Sequence, residues 1–254
     1  MKIGIIGVGA IGGALARKYV ANGHDVKVAN SRGVDAVKEF AGSIGAQATD
    51  AQGAVDGVDA IIISIPYLGL EKLPEGFLVN VPSHVPVIDT CNYYPGVRDP
   101  NIADIDAGKP ESLWASERLG RGVIKAFNNI EADALANQGK PKGTAGRIAL
   151  PVAGDDSVQK ASALALVEEM GFDGFDAGSL QDSWRQQPNT PVYSTDFPLE
   201  DAKNAIASAV QGVAPKRRDE FLAGAMTFWE KYPTPASRTE YFRVYNATNA
   251  ASAS

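Results

Sequence analysis

The chain has 254 residues, 44% of them apolar and 21% charged, which are the proportions of a soluble globular protein with enough length for one large domain or two small ones. A net charge of −6 argues against sequence-independent nucleic-acid binding; one cysteine, Cys91, excludes an intramolecular disulfide, and with His24 and His84 alone it makes no convincing zinc site. No charged-then-apolar leader precedes the first strand and no run approaches about 18 apolar residues, so a cytoplasmic, metal-free protein with no membrane span and no nucleic-acid partner is expected.

Lys2 to Ile6 is a short apolar run of buried-strand type. Gly7, Gly9 and Gly12 follow it in G-x-G-x-x-G register, and Ala10 to Ala21 is helix-forming up to the stop signal Asn22-Gly23. A bare glycine triplet is weak among 26 glycines; the strand before it and the helix after it give it meaning. One glycine permits the tight turn, one lets backbone approach a pyrophosphate, and one lets helix and strand pack closely. The helix N-terminus adds free N–H groups and partial positive charge. Gly7, Val8, Gly9, Ala10, Ile11 and Gly12 are therefore the first candidate cofactor-binding residues.

A second strand, Asp25 to Ala29, leads to the position about 20 residues on where NAD enzymes place a carboxylate against the ribose 2′-hydroxyl. Asn30 stands there, followed by Ser31 and Arg32. A carboxylate would repel a 2′-phosphate, whereas a hydroxyl and a guanidinium would bind it. The residues thus predict NADP (NADPH) rather than NAD, with Asn30, Ser31 and Arg32 at the phosphate; a solvated Arg in a turn is the plain alternative.

Val34 to Ser43 has helical spacing, Ala46 to Ala48 suits a short strand, and Asp50 to Asp56 a short helix. Asp59 to Pro66 is the strongest strand pattern, apolar on both faces as in a buried parallel sheet. Val85 to Asp89 and Val123 to Phe127 are further strands. Strands separated by helices predict an α/β doubly wound Rossmann-type parallel sheet, with ligands at the carboxyl ends of its strands. Those ends carry Ser64, Ile65 and Pro66, then Asn92-Tyr93-Tyr94, then Asn128-Asn129. Ile65 and Pro66 suit packing against nicotinamide or ribose. Asn92 suits a hydrogen bond to the carboxamide or ribose, or a turn.

The second half is less regular. Arg147 to Gly154 has strand character, Ser157 to Met170 is an amphipathic helix, and Phe172 to Asp176 a short strand. Trp184 to Tyr193 is loop-like, and Phe221 to Tyr232 is one apolar helix stopped by Pro233. The expected division is a dinucleotide-binding domain over 1–127, a smaller α/β acceptor or substrate domain over 128–245, and a frayed tail over 246–254. The basic run Lys216-Arg217-Arg218 suits a solvated helix face, and Cys91 a small buried hydrophobe rather than a nucleophile. The helix with Phe221, Leu222, Met226, Phe228 and Trp229 suits a homodimer interface or, equally, packing on its own domain.

Together, the glycine turn, Asn30-Ser31-Arg32, the Ile65-Pro66 strand end, the Lys125 to Ala132 segment and Val152 to Asp156 leading to Asp176 to Leu180 resemble the NADP-dependent reductases of the deazaflavin coenzyme F420. Pyrroline-carboxylate reductases and ferric-reductase cytosolic domains are more distant relatives. The resemblance spans roughly residues 1–182 and adds Ala132 to the cofactor-binding set. It implies hydride transfer between nicotinamide and a small planar electron acceptor, a deazaflavin or flavin, stacked in the cleft. Such a step needs proximity and orientation more than an acid or base, consistent with the absence of a catalytic triad or paired-carboxylate motif. Three features depart from the family, one of them a C-terminal third longer than the minimal family pattern. Asn128-Asn129-Ile130-Glu131-Ala132 stands where relatives commonly have His-Thr-Ile-Pro-Ala, which makes Asn128 a substrate-facing candidate. A Ser183 to Gln187 insertion offers Trp184 as a stacking wall and Arg185 as an anion contact, against a reading of packed tryptophan and surface arginine. Two alternatives stay open: reduction of a small imine or carbonyl, for which Lys203 and Lys216 lack motif support, and an NADP-binding redox sensor without turnover.

Overall fold

The computed structural model describes residues 1–251, without the side chains of residues 225, 226 and 248–251. In chain order the first elements are β1 (Lys2–Ile6), α1 (Ala10–Ala21), β2 (Asp25–Ala29), α2 (Asp35–Ile44), β3 (Gln47–Ala48), α3 (Ala51–Val55), β4 (Ala60–Ile63), α4 (Tyr67–Leu70) and β5 (Val87–Asp89). They are followed by α5 (Ala103–Asp106), α6 (Glu111–Leu119), β6 (Ile124–Lys125), α7 (Ala132–Asn137), β7 (Ala149–Val152), α8 (Ser157–Glu169) and β8 (Asp173–Asp176). A 3-10 turn at Gln181–Gln186 precedes α9 (Leu199–Ser208), α10 (Val213–Ala223), α11 (Ala225–Lys231) and α12 (Pro235–Ala251).

The first six strands form one parallel sheet in the order β3-β2-β1-β4-β5-β6. β4 is buried at every position, as its unbroken Ala60-Ile61-Ile62-Ile63 run requires of a central strand covered on both faces. The chain order reverses between β1 and β4, which opens a crevice at their carboxyl ends. This is the doubly wound α/β fold that the strand pattern predicts.

β7 and β8 form a separate two-stranded parallel sheet, stitched to the large one where Lys125 and Ala153 exchange backbone hydrogen bonds of 2.8 and 3.0 Å. The core does not divide at residues 127/128. Ile148, Leu150 and Val152 of the β7 strand region pack in one cluster with Ile3 and Ile5 of β1, joined by Leu166, Met170 and Phe172. The Asp156 carboxylate begins α8 by accepting from the backbone N–H groups of Val158 and Gln159, both at 2.9 Å. Asp156→Ala is expected to cost about 1 kcal/mol, read as a fall of roughly 2–4 °C in thermal unfolding. An unchanged midpoint would contradict the capping role.

Three expectations are corrected at the C-terminal end. The apolar stretch Phe221 to Tyr232 is not one helix: it breaks at Gly224, between α10 and α11. Arg218 is not solvated; it is 5% exposed, with its guanidinium 5.0 Å from the centre of the Tyr93 ring. The segment from Asn246 is not frayed, because α12 continues to Ala251 and the buried Asn246 side chain donates to the Tyr193 carbonyl at 2.8 Å. Residues 252–254 lie outside the described residues, as does the Met226 side chain. Phe221 and Phe228 turn toward α12, 5.3 and 5.5 Å from Phe242, while Trp229 stays exposed.

Candidate dinucleotide cleft

The turn after β1 has the geometry its glycines foretell. Gly7 has φ +101°, and a Cβ there would lie 2.1 Å from the Ser64 carbonyl oxygen. A Cβ on Gly12 would lie 2.0 Å from the Gly7 carbonyl oxygen, so this glycine sets how closely α1 approaches the turn. A Cβ on Gly9, by contrast, would meet nothing within 4 Å. Gly9 therefore faces open space at the start of a 12-residue helix whose first turn holds no acidic residue and whose N-cap supplies no side-chain acceptor. Such a helix end offers unpaired N–H groups to an anion.

One strand over, Gly7 N–H donates to the Ala29 carbonyl at 2.8 Å, which places Asn30 beside the glycine turn. Asn30 Oδ1 accepts from the Arg32 backbone N–H at 2.9 Å, closing a local turn that leaves Ser31 and the Arg32 side chain exposed. Asn30 Nδ2 is buried with no hydrogen-bond partner among the described residues, the condition of a donor awaiting a ligand.

A cleft of about 800 Å³ runs along the carboxyl ends of the strands. Its inner wall is Gly9, Ala10 and Ile11 from the turn, Ser64, Ile65 and Pro66 after β4, Thr90, Cys91 and Asn92 after β5, and Asn128 to Ala132 without Asn129 after β6. Val8 packs against the core beneath it. Cys91 is 4% exposed, and burial, reinforced by the Asp89 carboxylate, pushes its thiol well above the ordinary range; it is a buried small residue.

The outer part of the cleft differs from the sequence expectation. Trp184 and Arg185 do not line it: the guanidinium lies 4.4 Å over its own neighbour's ring and reaches the Ile206 and Ala209 carbonyls at 3.5 and 3.4 Å. The same loop enters the cleft further along, through Asn189, Tyr193 and Ser194. Asn128 does line the cleft, yet its amide donates to Asn92 Oδ1 at 3.0 Å and to the Gln186 carbonyl at 2.7 Å. Both its protons are thereby used within the protein, and Asn128 orients Asn92 rather than presenting a donor to substrate.

Several cleft residues were given no individual role in the cleft by the sequence pattern, although Tyr94 stands at a predicted strand end. Tyr94 and Arg98 come from the turn after β5, and the Arg98 guanidinium lies 4.9 Å over the Tyr94 ring while donating to the Asn92 carbonyl. The far wall is Phe221, Leu222, Phe228, Trp229 and Phe242 from the C-terminal helices, with Arg238 donating to both Glu131 oxygens at 3.0 and 3.3 Å. Burial holds the Glu131 carboxyl above the usual range against the pull of Arg238. Behind the floor lies a buried charge cluster. Lys125 Nζ donates to the Cys91 carbonyl at 2.9 Å and stands 3.7 Å from Asp89 and 4.0 Å from Glu111. A lysine inside the apolar run Val123 to Phe127 was the one sequence clue to it. No group of three or more metal-ligating side chains occurs among the described residues, and no described helix is long and apolar enough to cross a membrane.

A glycine turn with one open face, at the switch point of a six-stranded parallel sheet, defines a Rossmann-type nucleotide-binding fold. Residues 2–93, from β1 to the turn after β5, match the family described as NADP oxidoreductase, coenzyme F420-dependent, so the resemblance read from the sequence is borne out over that segment. The Escherichia coli (strain K12) protein YjhV is 40% identical over 72 residues, 28% of this chain; the match spans about half (53%) of that relative's length. Among solved structures, the hypothetical protein SMa0349 from Sinorhizobium meliloti is similar with a TM-score of 0.61 and 27% identity, over 78% of this chain and 92% of the other. A candidate F420-dependent NADP reductase from Arthrobacter sp. FB24 is similar at 0.55 and 18% identity, over 72% and 87%. An imine reductase from Myxococcus stipitatus in complex with NADP+ is similar at 0.51 and 17% identity, over 71% and 56%. The last two share the fold.

Proposed function

We propose that the chain is an NADP(H)-dependent oxidoreductase that passes a hydride between nicotinamide and a small planar acceptor, deazaflavin- or flavin-like, held against the aromatic far wall. The observation that carries this reading is the open face of Gly9 at the start of α1, with the unpartnered Asn30 amide beside it. In this reading the Gly7 to Gly12 turn holds a pyrophosphate and Asn30, Ser31 and Arg32 hold a ribose 2′-phosphate. Ile65, Pro66 and Asn92 border the nicotinamide, and Ala132 closes the cleft beside them. The bound dinucleotide supplies the hydride. The chain's own residues bind, orient and exclude water, through the apolar side chains of Phe221, Leu222, Phe228 and Phe242.

A second reading, reduction of a small carbonyl or imine, is favoured by the phenols of Tyr94 and Tyr193 at the cleft, which offer a proton where a polarised double bond needs one. The nucleotide assignment is tested by Arg32→Ala. Removing a charged phosphate partner is expected to weaken NADPH binding roughly 10–100-fold and to leave NADH unchanged, read by fluorescence titration of each. Equal losses for both nucleotides would refute the phosphate role of Arg32.

A further inference from the structure

Tyr193 sits where the polar floor of the cleft meets its aromatic wall. Its hydroxyl is hydrogen-bonded to the hydroxyl of Tyr94, and Asn92 Nδ2 approaches the same oxygen at 3.4 Å. Asn92 is itself fixed, because its Nδ2 also reaches the Asn128 carbonyl and its Oδ1 accepts from Asn128, each at 3.0 Å. On the other side the Phe242 ring stands edge-on at 6.0 Å.

Counting protons gives the pair its meaning. Two phenols bring two O–H protons, but the single hydrogen bond between them uses one. Whichever phenol donates, the pair keeps one hydroxyl proton for whatever occupies the cleft. Tyr193 is the better placed to spend it. Tyr94 and Asn92 converge on its oxygen, and donors aimed at an oxygen stabilise it once its proton has gone. Burial pushes both phenols up, and Tyr94 further than Tyr193. Among the facing charges, Arg98 favours ionisation of Tyr193 and Glu111 opposes it.

The backbone around it is held in place. Asn246 of α12 donates to the Tyr193 carbonyl at 2.8 Å, Ser194 N–H donates to the Asn129 carbonyl at 2.8 Å, and Arg243 Nε donates to the Thr195 carbonyl at 2.7 Å. Asn189, Ser194 and Asp196 take φ of 63°, 54° and 50°, a conformation uncommon for such residues and kept only where surroundings over-determine it. The competing acid, Glu131, is engaged by Arg238 through both carboxylate oxygens.

We propose that Tyr193 is the proton donor of this cleft, and that the acceptor carries a C=O or C=N group which takes hydride at carbon and the Tyr193 proton at the heteroatom. This rests on the nicotinamide reading of the cleft and takes the second reading of the acceptor, a small carbonyl or imine, in place of the flavin-like one. In the step, a C–H bond forms with the hydride from the reduced dinucleotide, which is oxidised. The π pair of the double bond moves to oxygen or nitrogen, and the Tyr193 O–H proton joins it there. Tyr193 recovers a proton from Tyr94, and Tyr94 from water.

The test uses Tyr193→Phe, Tyr94→Phe and Glu131→Gln, each checked for folding by thermal unfolding. NADPH affinity is measured by fluorescence, and NADPH oxidation is followed with aldehydes, ketones, cyclic imines and a free flavin, whose reduced form persists as an anion. Tyr193→Phe is expected to keep NADPH affinity and to lose about 100–10,000-fold in kcat on C=O or C=N acceptors. Glu131→Gln, which disturbs the Arg238 pair at the cleft wall, is expected to cost far less kcat than Tyr193→Phe. Independently of turnover, ring-labelled tyrosine NMR of the protein alone should show Tyr193 ionising at higher pH in Tyr94→Phe, because a donor to its oxygen is gone. Three turnover results overturn the proposal: Tyr193→Phe retaining kcat, the loss appearing in Glu131→Gln instead, or flavin alone oxidising NADPH equally in wild type and Tyr193→Phe. A merely structural tyrosine would change NADPH affinity and leave kcat. Failure of the wild type to bind NADPH would overturn the nicotinamide reading itself, whereas in a protein that binds NADPH a Tyr193 titration unmoved by Tyr94→Phe would overturn the proton donor alone.

Discussion

Gly12→Ala is expected to abolish measurable NADPH binding, while Gly9→Ala should weaken it with the fold intact. The added methyl at Gly12 would meet the Gly7 carbonyl oxygen at 2.0 Å and the Ser64 Cβ at 3.0 Å. The first of these is backbone, held in a turn that Gly7 enters at φ +101°, so the clash is relieved only by moving α1 away from β1. Overpacking of this kind costs about 1–3 kcal/mol of stability. It also withdraws the helix N-terminus from the phosphates it would bind, so affinity should fall by more than about 100-fold. At Gly9 the methyl has free space in the protein, and thermal unfolding should be nearly unchanged. Any lost affinity then reports a ligand occupying that space. Fluorescence titration with NADPH and thermal unfolding on both variants separate the two effects. Native affinity in Gly9→Ala would mean that no phosphate lies over this turn.

The large sheet was legible because buried parallel strands leave a mark that survives without context. Ala60 to Ile63 is apolar on both faces, and the glycine spacing after Lys2 to Ile6 is dictated by local sterics. The C-terminal wall was not legible, for reasons that are tertiary. α12 runs on past Asn246 through small and polar residues, so it shows no clean apolar face against a polar one. Arg218 belongs to a basic run that reads as solvated, yet the Tyr93 ring draws it inward. The loop after β8 offered Trp184 and Arg185 as its most conspicuous side chains, and they satisfy each other and the carbonyls near the end of α9. Its direction is set by positive φ at Asn189 and Ser194, which no local propensity foretells, and this brings Tyr193 rather than Trp184 to the cleft. Asn128 was legible as a cleft residue but not in its role, because both amide partners lie far away in sequence.

Lys125→Met should be the most destabilising single change of this region, and its cost should depend on pH in a definite direction. Lys125 is fully buried between two carboxylates that are each 1% exposed. Asp89 is further satisfied by the Ser112 hydroxyl at 2.6 Å and the Cys91 N–H at 2.9 Å, and Glu111 by the Tyr93 N–H at 3.2 Å. Methionine fills similar volume but leaves both carboxylates without a counter-charge, a loss of about 3–5 kcal/mol. Burial already raises the Glu111 carboxyl above its ordinary value, and Lys125 is the largest influence opposing that rise. A carboxyl raised on folding contributes its stability in full below its unfolded value, about 4.3, and loses it as pH rises through the folded value. Removing Lys125 lifts Glu111 further, so the deficit of the variant should be greatest near neutral pH and shrink on acidification toward about pH 5. Urea unfolding of wild type and variant at both pH values measures this. A deficit equal at the two would assign the loss to packing and not to charge. Adding Glu111→Gln removes one of the two stranded charges, and should restore part of the stability at neutral pH but little at the lower one. The Cys91 carbonyl, freed of the Lys125 ammonium, would meanwhile loosen the floor between Thr90 and Asn92, so the same variant should also bind NADPH more weakly.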